Sequence, residues 1–103
     1  MPWFITSIIG DETLARHPYY KSTRSRTFGF YEKYNEALKA VLENRCNMVE
    51  CLYDYLVMEY IEEGIHPMVI HDFWFQWSDH AGKWLEMEER PKEYGGITNF
   101  ALG

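Results

Sequence analysis

No run of the 103 residues approaches the about 20 consecutive apolar positions that a membrane-spanning helix requires. The opening residues Met1-Pro2-Trp3-Phe4-Ile5 lack the basic region and small-residue cleavage site of a secretory leader, so a cytoplasmic protein with no membrane partner is expected. Cysteine is scarce. Cys46 and Cys51 are expected to be reduced, and five positions apart on a helix they would point in different directions rather than bridge. Neither forms a CxxC pair, and no Gly-x-Ser-x-Gly elbow, GxGxxG or GxxxxGK[ST] loop occurs, so no nucleophile or phosphate cradle is written in a local motif. His66, His71, Asp72 and His80 lie near one another in sequence, but Pro67 separates the first two and no helical i, i+4 pair exists. They read as turn and loop residues. No metal and no cofactor is expected.

What the chain has in excess is aromatic surface: eight Tyr, six Phe and four Trp, 17% of the residues. Each ring buries a large area, which allows a compact core at this length, yet not all can be interior. Some rings should lie at an interface or a ligand groove. The length suits one domain spanning residues 1–103. Its net charge of −6 is unevenly spread: residues 1–33 carry +2 and the remainder carries −8. An acidic majority repels a long polyanion such as duplex DNA, while leaving room for one short anion at a local basic patch.

Along the chain, Trp3–Ile9 is β-branched and aromatic and stops at Gly10-Asp11, a strand signal. Residues 11–25 are polar, broken by Pro18, and read as a long basic connection. A second strand is expected at Arg26–Tyr31, with Gly29 marking a bulge or a close backbone approach. Tyr34, Ala37, Leu38, Val41 and Leu42 form one stripe of an amphipathic helix that Asn44 or Asn47 ends, with Met48, Val49 and Leu52 continuing a buried stripe. Tyr53–Ile61 is apolar on both faces and fits a central strand, with helix as the alternative. Phe73–Ser78 and Lys83–Met87 flank a short turn ending in Gly82 and predict a hairpin; Ile97–Leu102 predicts a final edge strand. The expected fold is α+β: an antiparallel sheet of about five to six strands, in ββαβββ-like order, with one main amphipathic helix on one face.

The strings Arg26-Thr27-Phe28-Gly29-Phe30-Tyr31, Asn35-Glu36-Ala37, Tyr53-Asp54-Tyr55, Glu63-Gly64-Ile65 and Asn99-Phe100-Ala101-Leu102-Gly103 are similar to those of a group of short α+β proteins from gut bacteria and their phages. The likeness covers residues 26–103, and residues 11–25 depart from it. That group has no established activity, so the resemblance implies a phage or mobile-element setting, with counter-defence as the role, and no catalytic residue.

Two regions stand out as candidate contact surfaces. In the connection, Arg16, Tyr19, Tyr20, Lys21, Arg24 and Arg26 combine guanidinium forks for phosphate or carboxylate with rings on which a base can stack. On the hairpin, strand alternation puts Trp74 on the face opposite Phe73, Phe75 and Trp77, exposed unless a ligand or second subunit covers it. The expected function is that of a small non-enzymatic binding protein, docking on a host protein or sequestering a nucleotide-derived signal. The alternatives are a small nucleotide-acting enzyme, using His66, His71 or Asp72 as acid or base, and a structural homo-oligomer.

Overall fold

A computed structural model describes residues 2–19, 24–47, 53–62, 69–95 and 100–101. Five strands, β1 (Trp3–Ile8), β2 (Ser25–Tyr31), β3 (Tyr55–Ile61), β4 (Val69–Ser78) and β5 (Lys83–Met87), form one antiparallel sheet in the order β2-β1-β3-β4-β5. Two helices interrupt them, α1 (Asp11–Arg16) between β1 and β2 and α2 (Tyr34–Leu42) between β2 and β3. The fold is the expected α+β arrangement, with α2 packed on the sheet. No described helix is long and apolar enough to cross a membrane.

β3 is the middle strand, which explains why Leu56, Val57, Met58 and Glu59 are all buried although they alternate between faces. Tyr53–Ile61 is therefore strand rather than helix from Tyr55 onward. Gly29 sits where the β1–β2 register shifts: Ile5 pairs with Gly29 but Thr6 pairs with Thr27, leaving Phe28 as the extra residue of a bulge. The expected hairpin forms, with Trp77 opposite Trp84 and the turn closed by Gly82 at φ 66°.

The sheet carries a core on each face. On one, Trp3, Ile5, Leu56, Met58, Phe75 and Trp84 pack against Ala37, Ala40 and Val41 of α2. Asn44 and Asn47 adopt left-handed φ of 48° and 49° and end the helix, as their type allows. Asn44 Oδ1 also accepts from the buried Trp84 indole N–H at 3.1 Å. The helix is turned slightly from the expected stripe: Ala40 is buried, and Leu42 is 47% exposed. A stripe drawn at ideal helical spacing has some width, and the contact with the sheet selects one edge of it.

The second core lies on the opposite face and comprises Ile8, Val57, Trp74 and Tyr94, with Tyr55, Met87 and Phe100 against it. Its cover is the segment after β5, which includes a 3-10 turn at Lys92–Tyr94. Of the expected edge strand Ile97–Leu102, only Phe100 and Ala101 are described; they form a bend whose amides bond to the Glu59 carboxylate rather than to a neighbouring strand. The continuation at Met48, Val49 and Leu52, the thiol of Cys51 and His66 lie outside the described residues.

Within the long basic connection expected over residues 11–25, Asp11–Arg16 form the helix α1, and residues 20–23 lie outside the described residues. Asp11 and Glu12 occupy the first turn of α1 and Arg16 the last, as the helix dipole favours, and Leu14 packs against the core. The entry to α1 is fixed by Gly10, whose amide donates to Asp54 Oδ2 at 2.7 Å. A Cβ there would lie 3.1 Å from the same oxygen and 3.2 Å from the Tyr55 ring, so a larger residue would push the Asp54 carboxylate or the ring back by a few tenths of an ångström.

Candidate functional site

The basic residues singled out in the connection do not share one environment. Arg16 is exposed on α1 and lies 3.6 Å from Glu12, one turn back. Tyr19 is 71% exposed, with its hydroxyl 3.1 Å from His17 Nδ1. Tyr20 and Lys21 fall outside the described residues. Arg24 turns inward: its Nε donates to the Ile9 carbonyl at 3.3 Å, and its Nη2 contacts Asp11 and reaches the Tyr94 hydroxyl at 3.5 Å. The guanidinium also stands 5.5 Å over the Tyr94 ring. Tyr94 in turn donates to the Ile9 carbonyl at 3.2 Å, and burial pushes its hydroxyl up to about 12. Arg24 thus ties α1, β1 and the C-terminal segment together.

Arg26 differs. It is exposed on β2, with its guanidinium 4.9 Å over the Phe28 ring. Next to it stands a surface that the sequence reading did not single out. Phe30 is 57% exposed and packs at 5.5 Å on Phe4 of β1. A groove of about 310 Å³ runs between β2 and α2, lined by Phe28, Gly29, Phe30 and Tyr31 of β2 together with Ile5, Ala40 and Arg45. Arg45 Nη1 donates to the Tyr31 hydroxyl at 3.0 Å, and its Nε donates to Glu43 at 3.2 Å. Among the described residues β2 pairs only with β1 and is therefore an edge strand; it carries one cation, Arg26, and three rings, Phe28, Phe30 and Tyr31. The signal was present in the sequence: four aromatic or β-branched residues crowd around Gly29 in a strand too short to bury them all.

Trp74 is 3% exposed. The face it occupies needs no second subunit or ligand to cover it, because the chain does so itself. Tyr94 stacks on the indole with centroids 5.6 Å apart and planes 9° apart, and Phe100 meets it edge-on at 5.3 Å. The indole N–H donates to Asp72 at 2.8 Å, and Asp72 accepts from Arg90 Nη2 at 2.8 Å. Burial pushes the Asp72 carboxyl upward, but Arg90 and the indole outweigh it and hold the group below the usual carboxylate range. Asp72 is accordingly a structural partner of Arg90 in this arrangement.

A second hollow, of about 380 Å³, lies at the start of α1 and is lined by Asp11, Glu12, Asp54, Glu93, Gln76 and Arg16 among others. Burial and the adjacent Asp11 raise the Glu93 carboxyl, while its hydrogen bond to Glu93 and the neighbouring Arg24 lower Asp11. The acidic lining disfavours an anion there. Among the described residues no group of three or more His, Cys, Asp or Glu is arranged to hold a metal ion. Comparison of the chain with models of protein families, with curated proteins and with solved structures gives no match.

Proposed function

We propose that this chain is a non-enzymatic binding protein that docks on a host protein through the β2 edge, in the phage or mobile-element setting that the resemblance of its strings implies, and acts there in counter-defence. The observation that carries the reading is Phe30, 57% exposed on an edge strand and flanked by Arg26 over Phe28. Exposed rings beside an arginine are the composition from which interface hot spots are built. An edge strand adds unpaired backbone donors and acceptors to which a partner can bond. A protein partner is preferred to a sequestered nucleotide because Arg24, the best-placed guanidinium for a phosphate, is already occupied by Asp11, Tyr94 and the Ile9 carbonyl.

The test is affinity capture from a host lysate with the wild-type chain and with Phe30→Glu and Arg26→Glu variants of unchanged melting temperature. The reading expects a protein retained by the wild type and lost with both variants. Capture that ignores both substitutions overturns it. A thermal shift with cyclic dinucleotides or ADP-ribose-type ligands, abolished by Arg24→Ala, replaces it with the nucleotide-sequestering alternative. Turnover of those ligands points instead to the enzymatic one.

A further inference from the structure

The groove between β2 and α2 is bounded along β2 by Phe28 and Tyr31, and each ring has an arginine over it. Thr27 bonds Thr6 on the side of the sheet that holds Ile8 and the second core. Arg26 and Phe28 therefore belong to the α2 face, where Phe28 meets Tyr53 edge-on at 6.1 Å. Between the two rings the floor is open: a Cβ built on Gly29 would meet no described atom within 4 Å. Arg45 stands 5.9 Å over Tyr31 and is already engaged by the Tyr31 hydroxyl and the Glu43 carboxylate. Arg26 is exposed, and among the described residues it has no carboxylate in ion-pair range. The backbone of β2 is also unfinished. Ile9 N–H donates to the Arg24 carbonyl at 2.8 Å, and antiparallel alternation then turns the N–H and C=O of Ser25 and Thr27 away from β1.

Resting on the docking reading above, we propose that the part of the partner seated here is an extended acidic peptide segment. Its backbone adds to the sheet beside Ser25 and Thr27, one apolar side chain enters the groove over Gly29, and an Asp or Glu pairs with Arg26. The spacing follows from the strand: side chains on one face of an added strand recur every second residue, so the acid stands two positions from the apolar anchor. A guanidinium gains most from a carboxylate, which it can meet with two parallel hydrogen bonds, and Arg26 is the one of the two groove arginines without that partner. It also lies in the part of the chain, residues 1–33, that carries +2. Strand addition can run only as far as the bulge at Phe28, where the extra residue breaks the ladder. Beyond it the contact passes from backbone to the side chains of the groove.

The test selects a random peptide library on the intact chain. Enriched sequences are expected to carry Asp or Glu two positions from an aliphatic or aromatic residue. A synthetic peptide of that sequence should lose about tenfold or more in affinity with Arg26→Glu, and selection repeated on that variant should turn the acid into Lys or Arg. Arg26→Gln gives the same loss of affinity should the charge reversal fail to fold. With the peptide bound, the Ser25 and Thr27 amides should gain protection from hydrogen exchange. Absence of enrichment, enrichment without the acid, affinity indifferent to Arg26, or binding that protects neither amide each overturns the proposal. Lysate capture lost with Phe30→Glu, beside enriched peptides that lack the acid, leaves docking in place and removes the acidic strand. Acidic peptides that bind at Arg26, beside capture that ignores both substitutions, support the peptide site and remove the host-protein reading.

Discussion

The two faces of this sheet are covered by different means. One is closed by α2, whose Ala37, Ala40 and Val41 meet an apolar layer with Trp84 and Phe75 at its centre. The other is closed by described residues after β5, Arg90, Tyr94, Phe100 and Ala101, held by the Glu59 and Asp72 carboxylates and by rings packed on Trp74. Apolar burial is non-directional and tolerates small shifts. A carboxylate with fixed donors is directional and answers to pH. One face should therefore carry stability, and the other should carry conditional behaviour.

The largest expected effect lies on the helix face. Trp84→Ala removes a fully buried indole and the donor to Asn44, and should cost about 3–5 kcal/mol in chemical denaturation. On the opposite face, Asp72→Ala leaves Arg90 and the Trp74 indole N–H without their acceptor and should cost roughly 1–3 kcal/mol. An equal or larger loss from Asp72→Ala than from Trp84→Ala would break the comparison.

The next prediction concerns pH and has two signs. Asp72 is depressed in the folded chain, so its contribution is present above its unfolded pKa and is lost as pH falls through the folded value. Glu59 is raised, so folding is unpenalised below its unfolded pKa and loses stability as pH rises through the folded value. Denaturation midpoints measured across pH should fall at both ends. Asp72→Asn should flatten the acid limb alone, and Glu59→Gln the limb at higher pH. The smallest effect on folding is expected at the β2 edge, where Phe30→Ser should change stability by no more than about 0.5 kcal/mol. A larger loss there would show that Phe30 on Phe4 serves the fold rather than a partner.

The β-branched and aromatic run Trp3–Ile9, the helical spacing from Tyr34 to Val41 and the turn before Lys83 are legible because each is a local pattern. The short helix at Asp11–Arg16 is not. Six polar-rich residues do not nucleate a helix alone, and α1 depends on Asp54 at its entry, Arg24 against Asp11 and Leu14 in the core. Of the candidate residues read from the sequence, the structure leaves Arg16, Tyr19 and Arg26 exposed and draws Arg24 and Trp74 inward, while Tyr20 and Lys21 lie outside the described residues. That Arg24 turns inward is decided by Asp11 and Tyr94, which lie 13 and 70 positions from it.

The sequence by itself determined the α+β class, the strand order along the chain, the main helix and the asparagines that end it, because propensity and periodicity act within a few residues. Only the tertiary structure decided which rings are interior. Strand alternation alone leaves Trp74 exposed unless something covers it, and it is buried because Tyr94 and Phe100 return to it from the far end of the chain. Glu59 reads locally as one more polar residue of a strand, yet becomes a buried carboxyl once β3 is the middle strand and the amides of Phe100 and Ala101 arrive above it. Burial is a property of long-range contacts, and these follow from how the whole sheet closes rather than from any short stretch of residues.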